Sequence, residues 1–163
     1  MIIKSLNRTA VALALVAVAA TSAQAQTANQ TVTFQVNAVN QIAFVGAPSL
    51  TITTAVAGSA PTSVTDASAT WAVTTNQTGA KITANIPANM AAGLTLSSSL
   101  VAPAGGTSAG FMALTTVAAD LVTGITKIAN GPLGVTYKLD ATAAAGVIAS
   151  GTRVVTYTIT GGT

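Results

Sequence analysis

Along most of the chain, apolar and polar positions alternate with a period of two. In "QTVTFQV" (30–36), Val32, Phe34 and Val36 share one parity, with Thr31, Thr33 and Gln35 on the other. "SLTITT" sets Leu50 and Ile52 against Thr51 and Thr53, and "ATWAVTT" puts Trp71 in phase with Val73. "AKITANI" alternates Ile82, Ala84 and Ile86 with Lys81, Thr83 and Asn85, and "GLTLSSSL" carries Leu94, Leu96 and Leu100. "LGVTYKLDA" and "RVVTYTIT" repeat the pattern through Val135, Tyr137 and Leu139 and through Val155, Tyr157 and Ile159. Short runs of this kind, rich in Val, Ile, Thr and aromatic residues, are half-buried strands.

The punctuation fits. "NQTG" (76–79) separates two strand patterns at hairpin distance, and "GAPS", "AGSAPTS", "IPANMAAG", "APAGGTSAG" and "NGPLG" have loop composition. Two stretches leave room for helix. "LTTVAADLVTG" (114–124) can be read either way, with strand or irregular structure favoured by its Thr and Val content. "ATAAAG" (141–146) reads as a link between the last two strands, with space for a brief helical turn. The sum predicts an all-β chain, an antiparallel Ig-like β-sandwich with a Greek key and about seven to nine strands. An outer-membrane barrel would need longer strands, aromatic girdles and an outward apolar face.

The first 25 residues stand apart. A short basic segment with Lys4 and Arg8 precedes the apolar run Thr9–Ala20, and small residues at Ala23 and Ala25 follow. This is the plan of a Sec signal peptide cleaved after Ala25. The run of 12 residues falls short of the roughly 20 needed for a spanning helix. No Cys follows the cleavage site, so a lipid anchor is not expected. The expected mature chain, 26–163, is one domain with no transmembrane segment, secreted to the cell surface or periplasm. Its short, Ala-rich signal reads as bacterial, so the sequons at Asn29 and Asn76 carry little meaning.

Removing that segment changes the charge. Lys81, Lys127, Lys138 and Arg153 remain against Asp66, Asp120 and Asp140, a net of 4 − 3 = +1. With no basic run, a nucleic-acid partner is not expected. Seven charges in 138 residues is far below the usual quarter or so, leaving a neutral Thr-rich surface permissive of self-association.

The missing residue types exclude much chemistry. There is no His, Cys or Glu. Ser-His-Asp and Cys-His catalysis and the usual zinc sites are therefore impossible. The three Asp residues are far apart, and each is read as a loop or edge-strand residue; no Asp-rich calcium loop is present. No catalytic residue, metal site or cofactor is assigned, and an enzyme is not expected. Trp71 and Phe111 are candidate platforms for stacking a sugar ring. Their phase with apolar neighbours makes core packing the simpler role for both.

The signal peptide, the alternating "TVTFQV", the charge-poor Thr-rich strands and the closing "VVTYTIT" together resemble small exported bacterial β-sandwich proteins of fimbrial and biofilm-fibre type. In fimbrial subunits of the chaperone–usher kind an N-terminal extension donates a strand and the last strand carries a Tyr. This chain departs from that pattern in having no Cys and in placing Tyr157 six residues before the end of the sequence. The resemblance implies a structural or adhesive surface protein that self-associates or joins other surface proteins, with Val32, Phe34 and Val36 as strand-donor knobs. The alternative is a secreted module binding carbohydrate or protein through loops such as 102–111. Parity breaks at Val39–Asn40 and resumes at Ile42 and Phe44, so "QIAF" is assigned to the domain's own core. "TVTFQV" is open to a neighbour, although in an isolated chain it is expected to fold back at home.

Overall fold

The computed structural model describes residues 25–163; the expected signal peptide falls almost wholly outside the described residues. Residues 36–163 form one compact unit, and described residues 25–35 belong to a separate one without regular structure. The compact unit contains β1 (Asn40–Val45), β2 (Val64–Thr75), β3 (Ala80–Asn85), β4 (Leu94–Leu100) and β5 (Thr107–Ser108). It continues with β6 (Met112–Ala113), β7 (Ala119–Ile125), β8 (Ile128–Ala141) and β9 (Thr156–Thr160). Among the described residues a single 3-10 turn, Ala143–Ala145, precedes β9. The period-two pattern therefore became strands, and the ambiguous stretch at 114–124 contributes most of β7.

Two antiparallel sheets result. The first has five strands in the order β1-β2-β8-β4-β6, the second four in the order β5-β7-β3-β9. They share one core: Trp71, Val73, Leu96, Leu100 and Val135 from the first sheet meet Ile82, Ala84, Leu121, Val122 and Ile125 from the second. Burying an aliphatic side chain of this size contributes about 1.5–3 kcal/mol, which is how a chain without a disulfide holds two sheets together. The Trp71 indole N–H donates to the Val101 carbonyl at 3.1 Å, so the largest core side chain brings no unpaired polar atom inside.

Only β1 and β2 are neighbours both in sequence and in a sheet; every later connection passes from one sheet to the other. "NQTG" is one of these. It joins β2 and β3 at hairpin length, yet the two strands lie in different sheets, so it is a crossing and not a hairpin. A bulge between Asp66 and Ala69 shifts the register of β2 against β8. Before it Val64 and Asp66 share the half-buried parity; after it Ala69, Trp71 and Val73 take the core positions.

Two segments that read as strands form none, and a third forms one only in part. "TVTFQV" has no ladder, "SLTITT" has none, and the last strand begins at Thr156, three residues later than Arg153. Alternation supplies an apolar face, but a strand also needs a partner edge for its backbone groups.

Candidate functional site

The compact unit begins at a clamp made by one side chain. Asn76, in the crossing after β2, accepts from the Val39 amide at 2.8 Å and donates to the Asn37 carbonyl at 2.7 Å. Its own amide donates to the Val39 carbonyl at 3.2 Å. Beside it, Asn40 Nδ2 donates to Gln77 Oε1 at 2.6 Å and Thr75 Oγ1 donates to Asn40 Oδ1 at 2.7 Å. These bonds fix where β1 starts and where the preceding chain leaves the sheet.

That preceding chain presents its apolar parity to solvent. Val32 is 70 %, Phe34 89 % and Val36 81 % exposed. Ile42 and Phe44, after the parity break, do pack against the core, which is where "QIAF" was assigned.

β1 and β9 are edge strands of their respective sheets, and they approach each other across the open side of the two layers. Phe44 of β1 closes that side in part. Its ring stacks on Tyr157 of β9 with centroids 3.9 Å apart and on Trp71 with centroids 6.0 Å apart. Tyr157 Oη then donates to Tyr137 Oη at 2.8 Å and lies 3.0 Å from Ser98 Oγ, which is fully buried. Burial pushes both phenols above their ordinary value, Tyr157 further than Tyr137.

Below this cluster the two layers stay apart. A groove of about 730 Å³ runs between the segment Leu50–Ala55 and the segment Gly146–Arg153. It adjoins a cavity of about 400 Å³ bounded by Phe44, Leu96, Tyr137, Leu139 and Tyr157. Met90, Leu94 and Leu139 contribute apolar lining, and Arg153 is the only charged residue of either lining among the described residues. The outer edge of β9 lies alongside, because β9 pairs with β3 alone.

The other candidate residues are placed as follows. Trp71 is 1 % exposed and presents no ring face to a ligand. Phe111 is 46 % exposed, and Lys138 Nζ sits 5.7 Å from its centroid. The three Asp residues lie within strands β2, β7 and β8, whereas the sequence suggested loops or edges. Hydrogen bonds from the Ser68 hydroxyl and from the Ser49 and Ser68 amides hold the Asp66 carboxyl below the usual range. The Ser63 hydroxyl and then Lys138, 3.0 Å away, do the same for Asp140. Asp120 is ion-paired to Lys81 at 2.9 Å. A general acid needs its carboxyl pKa raised, and for Asp66 and Asp140 the shift runs the other way. Among the described residues no group of three or more carboxylate or imidazole ligands could hold a metal ion, and no helix is long and apolar enough to cross a membrane.

Sequence reasoning had no means of finding the groove. Its lining comes from stretches scattered between Phe44 and Tyr157, which form no contiguous motif. Compared with known proteins, the chain matches no family model, no curated protein and no solved structure.

Proposed function

We propose that this is an exported bacterial structural protein with an Ig-like, Greek-key β-sandwich domain, which assembles at the cell surface by strand addition. One observation carries the reading. The chain holds an uncharged segment whose apolar parity, Val32, Phe34 and Val36, is exposed, and it also holds an open β9 edge above an apolar groove. A strand added to such an edge gains a row of backbone hydrogen bonds, and its alternate side chains gain pockets. It also covers an edge that would otherwise invite uncontrolled pairing. The near-neutral surface removes the electrostatic barrier to close association.

The test compares the chain from Gln26 onward with its Val32→Asp/Phe34→Asp/Val36→Asp variant. The unsubstituted chain is expected to form concentration-dependent polymers by light scattering and electron microscopy, and the variant to stay monomeric. Two equally monomeric proteins at millimolar concentration would remove strand addition as the function.

A second reading has one observation in its favour. Phe111 exposes about half of its surface beside the Lys138–Asp140 pair, an aromatic ring next to polar groups of the kind that binds sugars. Trp71 is too buried to report on such binding, so a glycan array with the Phe111→Ala variant as control is the appropriate assay. Equal signals from the two proteins would end this reading.

A further inference from the structure

We infer that the junction between the groove and its adjoining cavity binds a small amphiphile, an alkyl carboxylate whose head meets Arg153 and whose tail lies on Leu50, Met90 and Leu139. The inference goes beyond strand addition and does not depend on it.

The residues shared by the two linings are of two kinds. Leu50, Met90 and Leu139 are apolar, whereas Gly151, Thr152 and Arg153 bring polar backbone and a guanidinium. The place where groove and cavity meet is therefore itself amphipathic. Leu50, Met90 and Leu139 are each half-buried, so apolar surface remains there for a tail to cover. Phe44 and Leu96 continue the apolar wall into the cavity, where the Tyr137 and Tyr157 hydroxyls are already bonded to each other. Volumes of about 730 and 400 Å³ lie within the range of small-molecule sites, which are mostly apolar with a few polar groups that fix orientation.

The head group follows from charge. Lys81 is paired with Asp120 and Lys138 with Asp140, but Arg153 has no carboxylate partner among the described residues. Its Nη1 donates to the Thr152 carbonyl at 3.0 Å, which leaves most of its five donors for a ligand. The planar fork of a guanidinium matches a carboxylate. Next to it in the chain, the Gly151 and Thr152 amides have no backbone acceptor among the described residues. Neither lining holds an acid, so an anion meets no like charge. One cation neutralises a monoanion, whereas a phosphate of charge near −2 would keep excess charge beside an apolar wall.

Calorimetric titration of the chain from Gln26 onward with decanoate, below its micellar concentration, tests this against decanol, which keeps the tail, and acetate, which keeps the head. Decanoate is expected to give a single-site isotherm and to bind about fivefold tighter than decanol, the upper end for an ion pair at an exposed guanidinium. Acetate is expected to give no heat. Arg153→Gln alters an exposed side chain and is expected to lower decanoate to the decanol affinity. Isotopically labelled methionine methyls locate the ligand by NMR: the Met90 signal is expected to move, and that of Met112, which lines neither volume, to stay. Failure of decanoate to bind, equal affinity for decanoate and decanol, an Arg153→Gln variant that binds decanoate as the wild type does, or an unmoved Met90 signal would each overturn the inference.

Discussion

Replacing Tyr157 by Phe removes one oxygen and keeps the ring on Phe44, so it isolates the polar part of the cluster that joins the sheets. The hydroxyl makes two hydrogen bonds, 2.8 Å to Tyr137 and 3.0 Å to Ser98. Ser98 is fully buried and Tyr137 is 9 % exposed, so water cannot reach Ser98 and barely reaches Tyr137 when the oxygen leaves. A buried hydroxyl left without its partner costs about 1–3 kcal/mol, and no cavity term adds to it because the ring remains. We expect a loss of about 2 kcal/mol, read as a fall of roughly 1 M in the urea midpoint with an unchanged slope. Removing both partners should be milder than the sum, so Ser98→Ala/Tyr157→Phe is expected to show a coupling of at least about 1 kcal/mol. The same cluster sets an alkaline limit. Folding raises the phenol values above the ordinary 10.0, so the native state holds the proton more tightly than the unfolded chain. Its contribution is full below pH 10 and declines as the pH rises past it, more steeply in the wild type than in Tyr157→Phe. A Tyr157→Phe variant within 0.5 kcal/mol of wild type, or a strictly additive cycle, would refute the account, since roughly 0.5 kcal/mol is what a neutral surface change produces.

Two further variants probe the approach to the groove. At Gly46 the backbone is at φ 121°, and an added Cβ would stand 2.8 Å from Ala69 Cα, so Gly46→Ala should cost about 2 kcal/mol or more in thermal or urea unfolding. Asn76→Ala removes both side-chain bonds to Asn37 and Val39 at an exposed site. A loss of about 1 kcal/mol is expected, along with faster exchange of the Val39 amide, while the Ile82 amide in the core is unchanged.

Legibility in the sequence followed the range of the interactions. Strand identity was readable because alternation is local: Ile82, Ala84 and Ile86 alternate in the sequence and are all fully or almost fully buried in the fold. The packing of Ile42 and Phe44 was readable for the same reason, from one break in parity. Pairing was not. "NQTG" has hairpin length, but the partner of β2 is β8, more than fifty residues further along, and nothing in those four residues encodes the crossing to the second sheet. The bulge at Asp66–Ala69 was hidden too, because a one-residue slip shows only against the strand it slips past. For the candidate site, the apolar parity of Val32, Phe34 and Val36 was visible in the sequence, whereas their exposure and the groove were not.

By itself the sequence determined an all-β chain, the positions of most core side chains, and the absence of the His, Cys and Glu on which most catalytic and metal chemistry depends. Those properties belong to single residues or to neighbours two apart, and they survive without knowledge of the partner. The tertiary structure alone decided that, among the described residues, nine strands divide five and four, that β9 is an edge strand, and that Leu50–Thr53 and Thr152–Val154 join no ladder beside a groove. The reason is physical. A strand's apolar face is written in its own residues, but its hydrogen bonds need an edge from elsewhere in the chain, and the number of available edges is known only once the sheets have formed.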